Sequence, residues 1–249
     1  VRYRTALPAC LPLVLLACAS TPPAPPPPAP TMHMGAPVAA GAAAAPPIGI
    51  FWFRDSAERK AIYVETYRAA TATARAGSAG LAPRSWGVIL DIDETVLDNS
   101  EYSYRHGPGW DADSWDAWTR ERAARRLPGA REFIDTVLDE LHGQVVLITN
   151  RAQKECPDTE INLRTEGIRY DRILCDSVGD QDKNARFRLV QQGTAGGSGP
   201  LNVLLWVGDN IKDFPQLSQK NPGDAAEFGV RYFVLPNPMY GSWQGNTYQ

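Results

Sequence analysis

The chain has 249 residues, 43% of them hydrophobic and 21% charged, with a formal net charge of -3. A near-balanced charge without a long run of one sign excludes a nucleic-acid polymer or an acidic polymer as an evident partner. The length from residue 48 onward suits one domain with an inserted cap, and no internal repeat is visible.

Val1 stands where Met would, as at an alternative start codon, and Arg2 and Arg4 precede an apolar run from Ala6 to Ala17. That run is too short to span a membrane but suits a secretory signal, so residues 1–17 read as a signal peptide and the protein as exported. Leu15-Leu16-Ala17-Cys18 is similar to a bacterial lipobox. It implies lipidation at Cys18, a membrane partner through the lipid anchor, and an outer-membrane lipoprotein. Ordinary cleavage after Ala17-Cys18-Ala19 would instead release a soluble periplasmic protein. Residues 18–47 are mostly Pro and Ala and read as an extended tether. At ~3.1 Å per residue it reaches on the order of 80 Å.

Residues 48–249 carry the elements of a folded domain. A helix is expected from Ser56 to Ala76, followed by a short apolar strand, Val88 to Leu90, that runs into Asp91 and Asp93. Residues 99–128 are unusually aromatic, with Tyr102, Tyr104, Trp110, Trp115 and Trp118, and read as the cap. Trp115 and Trp118 are spaced for one face of a short helix that packs the cap on the core. The arginines from Arg120 to Arg131 read as a solvated helix face. A helix from Ala130 to His142 places Phe133, Ile134, Val137, Leu138 and Leu141 on one stripe, with His142 at its end and Gly143 supplying the cap. Strands follow at Gln144 to Asn150, Arg172 to Cys175, Leu201 to Val207 and Val230 to Leu235, with a helical pattern after Lys183. The alternation of strand and helix predicts an α/β fold, a three-layer doubly wound parallel sheet with a small, mainly helical cap.

The chemistry gathers at strand ends, where such sheets bind ligands. Asp91 and Asp93 are one residue apart, so both carboxylates can face one ligand, and their mutual repulsion calls for a cation, a shared proton or both. Thr149 ends the second strand with a hydroxyl able to bond a phosphate oxygen. Lys183 opens a helix where an ammonium can neutralise phosphate. Gly208 lets the chain turn tightly before Asp209 and Asp213. Each signal alone has a bland reading, as a turn, a structural Thr or a solvated Lys; in this order they describe a phosphoryl-transfer site.

On these residues the chain resembles the haloacid dehalogenase (HAD) superfamily of aspartate-nucleophile phosphatases. Asp91 and Asp93 match its first motif, Thr149 its second, Lys183 its third, and Asp209 with Asp213 its fourth. DIDETVLDNS, ITNR at Ile148 to Arg151, KNARF at Lys183 to Phe187, GDNIKDF and VLPNPMYGSW at Val234 to Trp243 resemble the class C acid phosphatases, bacterial surface lipoproteins, over about Phe51 to Trp243. The resemblance implies a HAD-like Rossmannoid core and a magnesium-dependent acid phosphatase. Asp91 would be the nucleophile that forms an aspartyl-phosphate, Asp93 the general acid and base, and Thr149, Asn150 and Lys183 the phosphate-binding groups. Mg2+ would be held by the Asp91 and Asp209 carboxylates and the Asp93 carbonyl, with Asp213 supporting them. The substrate would be a small phosphomonoester, with nucleoside 5′-monophosphates suggested by cap aromatics, Tyr102, Tyr104 and Trp110, and by Tyr240; a homodimer is also hinted. The Gly-rich stretch Gly193 to Pro200 departs from the family pattern as an enlarged surface loop. The alternative is a non-catalytic surface lipoprotein that binds nucleotides or other small ligands; the intact set of Asp91, Asp93, Lys183 and Asp209 argues against it.

No histidine reads as catalytic. Arg105-His106-Gly107 imitates a phosphohistidine motif but lacks the preceding apolar strand, so His106 is assigned to a cap loop, and His33 lies in the tether. Cys156 and Cys175 fall near one sheet edge, which leaves open a disulfide between them or two free thiols.

Overall fold

The computed structural model describes residues 45–107, 109–194 and 199–247. The signal segment, Cys18, all but the last residues of the tether, Pro108 and the centre of the Gly193 to Pro200 loop lie outside the described residues. From Ala45 the chain forms one unit.

Five parallel strands make the central sheet: β1 (Trp86–Leu90), β4 (Gln144–Ala152), β5 (Arg172–Asp176), β6 (Asn202–Gly208) and β7 (Tyr232–Val234), in the order β5-β4-β1-β6-β7. The chain builds outward from β1 through β4 to β5, then crosses back to lay β6 and β7 on the other side. The loops after β1 and β6 therefore diverge, and a crevice opens at their carboxyl ends. This is the expected doubly wound α/β sheet, with β1 starting two residues earlier and β4 running two residues further than expected.

Alternation along the strands divides the core into two layers. Val88, Leu90, Val145 and Leu147 pack with Tyr63, Tyr67, Phe133 and Ile134 on one face. Ile89, Val146, Ile148 and Trp206 pack with Phe187, Val190 and Phe214 on the other. A bulge in β6 opposite Gly87 and Val88 takes Leu204 out of register, so Leu204 and Leu205 both turn to the first face. A bulge admits one extra residue and breaks the alternation that a sequence pattern assumes.

The helices are α1 (Ile48–Asp55), α2 (Ala57–Gly77), α3 (Ser100–His106), α4 (Ala112–Glu121), α5 (Ala130–Asp135), α6 (Cys156–Thr165) and α7 (Asn184–Gln192). Ser56 caps α2 by accepting from Arg59 N at 3.1 Å, which fixes its start where the sequence indicates. No expectation covered α1. It buries Ile50 and Phe53 and presses Gly49 against the Pro238 carbonyl, where a β-carbon would collide.

The helix expected from Ala130 to His142 is different in kind. After Asp135 it widens into a π-helical turn, Thr136–Glu140, with Leu141 N donating to Thr136 O at 3.0 Å. His142 itself takes the left-handed conformation, φ 54°. Gly143 is not the cap: a β-carbon there would lie 2.5 Å from the Trp86 ring, so glycine is required for close approach to the start of β1.

The cap consists of α3 and α4, clasped at its base by the two-residue strands β2 (Leu97–Asp98) and β3 (Arg125–Arg126), antiparallel with Leu97 opposite Arg126. Trp118 is buried and Trp115 half-buried against the core cluster. His106 ends α3 instead of lying in a loop, and its ring stacks on Tyr102 at 4.7 Å. The basic run is not one helix face. It is divided among α4, β3 and α5, and its members pair with acids: Arg120 with Asp116, Arg122 with Asp158, Arg125 and Arg126 with Glu166, and Arg131 with Asp135. Beside β4, Cys156 at the start of α6 and Cys175 near the end of β5 form a disulfide with Cα atoms 6.2 Å apart.

Candidate active site

Asp91 leaves the tip of β1 with its N–H donating to Val207 O at 3.0 Å, which ties it to β6. The loop beyond it is held from below by α2, where Tyr67 donates to the Thr95 carbonyl at 2.7 Å and Tyr63 to the Glu94 carbonyl. Asp209 follows β6, and Asp213 sits in a single 3-10 turn, Ile211–Asp213, after it. Asp213 accepts from Asn210 N at 2.8 Å with Oδ2 and turns Oδ1 toward Lys183. Gly208 is needed for a reason other than the tight turn expected: a β-carbon there would collide with the Asp213 side chain.

Lys183 stands at the N-cap position of α7, just after Asp182, which accepts from Asn184 N at 2.8 Å. The residue is 2% exposed, and its ammonium reaches Asp213 Oδ1 at 2.7 Å and Asp91 Oδ1 in a second, tight ion pair. Burial works against the Lys183 charge, but Asp213 and Asp91 outweigh it and hold its pKa above that of ordinary lysine. Burial pushes the Asp91 carboxyl up to about 7; Lys183 opposes that shift while Asp213 and Asp93 add to it. Asp209 is raised well above the usual carboxylate range, by burial first and then by Asp213 and Asp91.

Oxygens of Asp91, Asp209 and Asp213 lie within 4.8 Å of one another. Three carboxylates face one ammonium, so the cluster carries excess negative charge in a water-poor setting. An all-oxygen donor set of this charge fits a hard divalent cation. Asp209 is oriented for it by Asn237, which donates to Oδ2 at 2.8 Å, and by Thr95, which donates to Oδ1 at 3.3 Å.

Asp93 lies beside this cluster in a separate set of donors. Arg151 donates to Asp93 Oδ1 from Nε at 2.9 Å and Nη2 at 2.7 Å, and Asn99 Nδ2 donates to the same oxygen at 2.9 Å. Among the described residues, Oδ2 receives only the Thr149 hydroxyl, at 3.3 Å. Three donors saturate Oδ1, so Oδ2 is the less engaged oxygen of the pair. Thr149 is fully buried, and its carbonyl and the Asn150 side-chain oxygen accept from Arg186, Asn150 at 2.6 Å.

The structure thus brings Asp91, Asp93, Thr149, Lys183, Asp209 and Asp213 to one rim of the sheet, with Asn150 at its edge. The expected substrate-binding aromatics are dispersed. Tyr102 is buried inside the cap, its hydroxyl 3.0 Å from Ser114 Oγ and its ring edge-on to Trp115, so it packs the cap rather than facing a ligand. Tyr104 is exposed beneath the Arg54 guanidinium, and Trp110 is 69% exposed. Tyr240 is half-buried, with its N–H on Asn237 Oδ1 at 3.3 Å, one residue contact from Asp209. Arg151, Asn99 and Asn237 were given no role from sequence. Each sits within a motif run, but its meaning depends on partners outside that run: Asp93 lies 58 residues from Arg151, Trp118 19 residues from Asn99 and Asp209 28 residues from Asn237.

The sequence matches the family described as HAD superfamily, subfamily IIIB (acid phosphatase), over residues 49–243. Among solved structures, the class C acid phosphatase from Bacillus anthracis is 30% identical with a TM-score of 0.69, covering 80% of this chain and 86% of that one. A second structure of it, with tungstate bound, is similar to the same degree. Curated relatives include acid phosphatase 1 of Solanum lycopersicum, 26% identical, and the stem 28 kDa glycoprotein of Glycine max, 25% identical, each matched over 61% of this chain. The chain spans only 57% and 58% of those two relatives' lengths. The carboxylate rim, the sheet order and the span of the match lead to one assignment: the chain belongs to the HAD superfamily, subfamily IIIB acid phosphatase family.

Proposed function

We propose that the protein is a magnesium-dependent acid phosphatase that hydrolyses small phosphomonoesters, nucleoside 5′-monophosphates among them, through an aspartyl-phosphate. The observation that carries this reading is the Asp91 carboxylate held against the Lys183 ammonium within a cluster of three carboxylates. The Bacillus anthracis relative, solved with the oxyanion tungstate bound, supports an anionic substrate.

Asp91 and Asp209 would hold magnesium with the Asp93 carbonyl, supported by Asp213, whose oxygens accept from Lys183 and Asn210 N; the ion would offset phosphate charge during attack. Lys183 holds Asp91 and neutralises a phosphate oxygen. The Asp91 carboxylate forms the new O–P bond as the bond to the leaving oxygen breaks, and that oxygen takes the proton from Asp93 Oδ2. Asp93 then removes a proton from water, which attacks phosphorus and returns Asp91 as a carboxylate. Thr149, Asn150 and Lys183 bind phosphate, and Tyr104, Trp110 and Tyr240 are the aromatic groups still available to a leaving group.

Release of phosphate from p-nitrophenyl phosphate, with and without magnesium and in parent and Asp91→Asn, tests the reading. Equal activity in the variant ends the mechanism, and an inactive parent favours a ligand-binding lipoprotein. A panel of nucleotides, aryl phosphates and sugar phosphates ranks the leaving groups. We also propose that Cys18 is lipidated and anchors the domain at the outer membrane, and that the domain forms homodimers. Loss of radiolabelled-lipid incorporation in Cys18→Ala tests the anchor, and light scattering of the soluble domain tests the dimer.

A further inference from the structure

Asn99 occupies a position that the reaction scheme above leaves unused. It is fully buried, and its side chain faces three partners. Oδ1 accepts from Trp118 Nε1 at 2.9 Å and from Arg151 Nη2 at 3.1 Å, while Nδ2 donates to Asp93 Oδ1 at 2.9 Å. The backbone is fixed as well, because Asn99 N donates to Glu94 Oε1 at 2.6 Å.

The two ends of an amide are chemically different, and this environment permits only one orientation. Turned over, Asn99 would set its NH2 against an indole N–H and a guanidinium and its oxygen against a carboxylate. Indole N–H is a donor only, so Trp118 enforces the orientation. Trp118 lies on α4, in the cap, whereas Asp93 belongs to the core loop after β1 and Arg151 to the last residues of β4. Arg151 is braced in turn by Thr159, which accepts from Nη1 at 3.1 Å, and lies over the Trp115 ring at 5.4 Å. The cap therefore touches the Asp93 carboxylate through one amide and one guanidinium.

We propose that Asn99 is a positioning residue for Asp93, oriented by the indole N–H of Trp118, so that seating of the cap on the core aims Asp93 Oδ2 at the leaving oxygen. This rests on Asp93 being the proton donor of the proposed phosphatase reaction. A misaimed donor penalises esters in proportion to their need for a proton. p-Nitrophenolate leaves readily without one, whereas an alkoxide does not.

The test compares kcat/KM for p-nitrophenyl phosphate and glycerol 2-phosphate, with magnesium, in parent, Asn99→Ala and Trp118→Phe. Trp118→Phe keeps an aromatic ring in the cap and removes the N–H, so it decides the matter if Asn99→Ala does not fold. Because a positioned proton donor contributes about 10²–10⁴-fold, the alkyl ester should lose about tenfold or more and the aryl ester less than about threefold. Inhibition by inorganic phosphate should be unchanged. Equal losses for both esters, or no loss for either, overturn the role of Asn99 while leaving the phosphatase reading intact. A parent inactive on both esters overturns that reading, and this inference with it.

Discussion

Lys183 bridges Asp91 and Asp213, two carboxylates that reach it from the tips of different strands, with Nζ 2.7 Å from Asp213 Oδ1. Removing that ammonium leaves buried negative charge without its counterion, which typically destabilises by about 3–5 kcal/mol. Lys183→Ala is therefore expected to abolish turnover and to become unusually dependent on a divalent cation for stability. The gap in Tm between magnesium and a chelator should be wider in the variant than in the parent, since any ligand bound only by the folded state raises stability with its concentration. An unchanged gap would place the cation outside the carboxylate cluster.

Gly208 and Gly143 make a matched pair at opposite ends of the sheet. A β-carbon at Gly208 collides with Asp213, and one at Gly143 lies 2.5 Å from the Trp86 ring. Overpacking a well-filled site costs about 1–3 kcal/mol, so Gly208→Ala and Gly143→Ala should both lower Tm. Only Gly208→Ala should also lose turnover, because only there does the displaced group hold Lys183. Full kcat in Gly208→Ala would show that Asp213 can shift without consequence.

The Cys156–Cys175 disulfide joins residues 19 apart in sequence. A cross-link closing a loop of this size is worth about 3 kcal/mol by restricting the unfolded chain. The double variant Cys156→Ser with Cys175→Ala should lose stability of that order in denaturant melts, and a reductant should lower the midpoint of the parent but not of the variant.

Asp176 follows Cys175 and organises the chain leading to Lys183. Its Oδ1 accepts from the backbone N–H groups of Val178 at 3.0 Å, Gly179 at 2.9 Å and Asp180 at 3.1 Å. Burial pushes the Asp176 carboxyl up, but these three bonds prevail and hold it below the usual value. The folded state thus binds the proton less tightly than the unfolded chain. Stability from Asp176 is fully present above the unfolded value of about 4 and is lost as pH falls toward the lower folded value. Asp176→Asn should have a lower Tm than the parent at neutral pH, and the difference should shrink below about pH 4. A difference that is constant with pH would assign the effect to geometry and not to charge.

The strands and the acidic motifs were legible because each is a local pattern: an apolar run ending in a carboxylate reads the same in any fold of this type. Asp91 and Asp209 announce themselves in this way, and Lys183 by its place in order between them at the start of a helix. Arg151 does not, because an arginine after ITN gains its meaning only when Asp93, 58 residues earlier in the chain, is folded against it. Asn99 likewise reads as a turn residue until Trp118 and Asp93 close on its two ends. The π-helical turn after Asp135 and the bulge at Leu204 were missed for a related reason. Both insert a residue into a regular period, and the hydrophobic pattern on either side still looks continuous. Tyr102 shows the opposite failure: composition marked an aromatic group suited to a ligand, and packing against His106, Trp115 and Trp118 uses all of its ring.

The ribbon formed by Leu97–Asp98 and Arg125–Arg126 makes the chain depart from the core and rejoin it at a single doorway. Such an excursion can lengthen, shrink or be exchanged between relatives without rethreading the sheet. The cap can thereby be remodelled as a separate module, and the tie it must keep to the core loop is the one its Trp118 indole makes to Asn99.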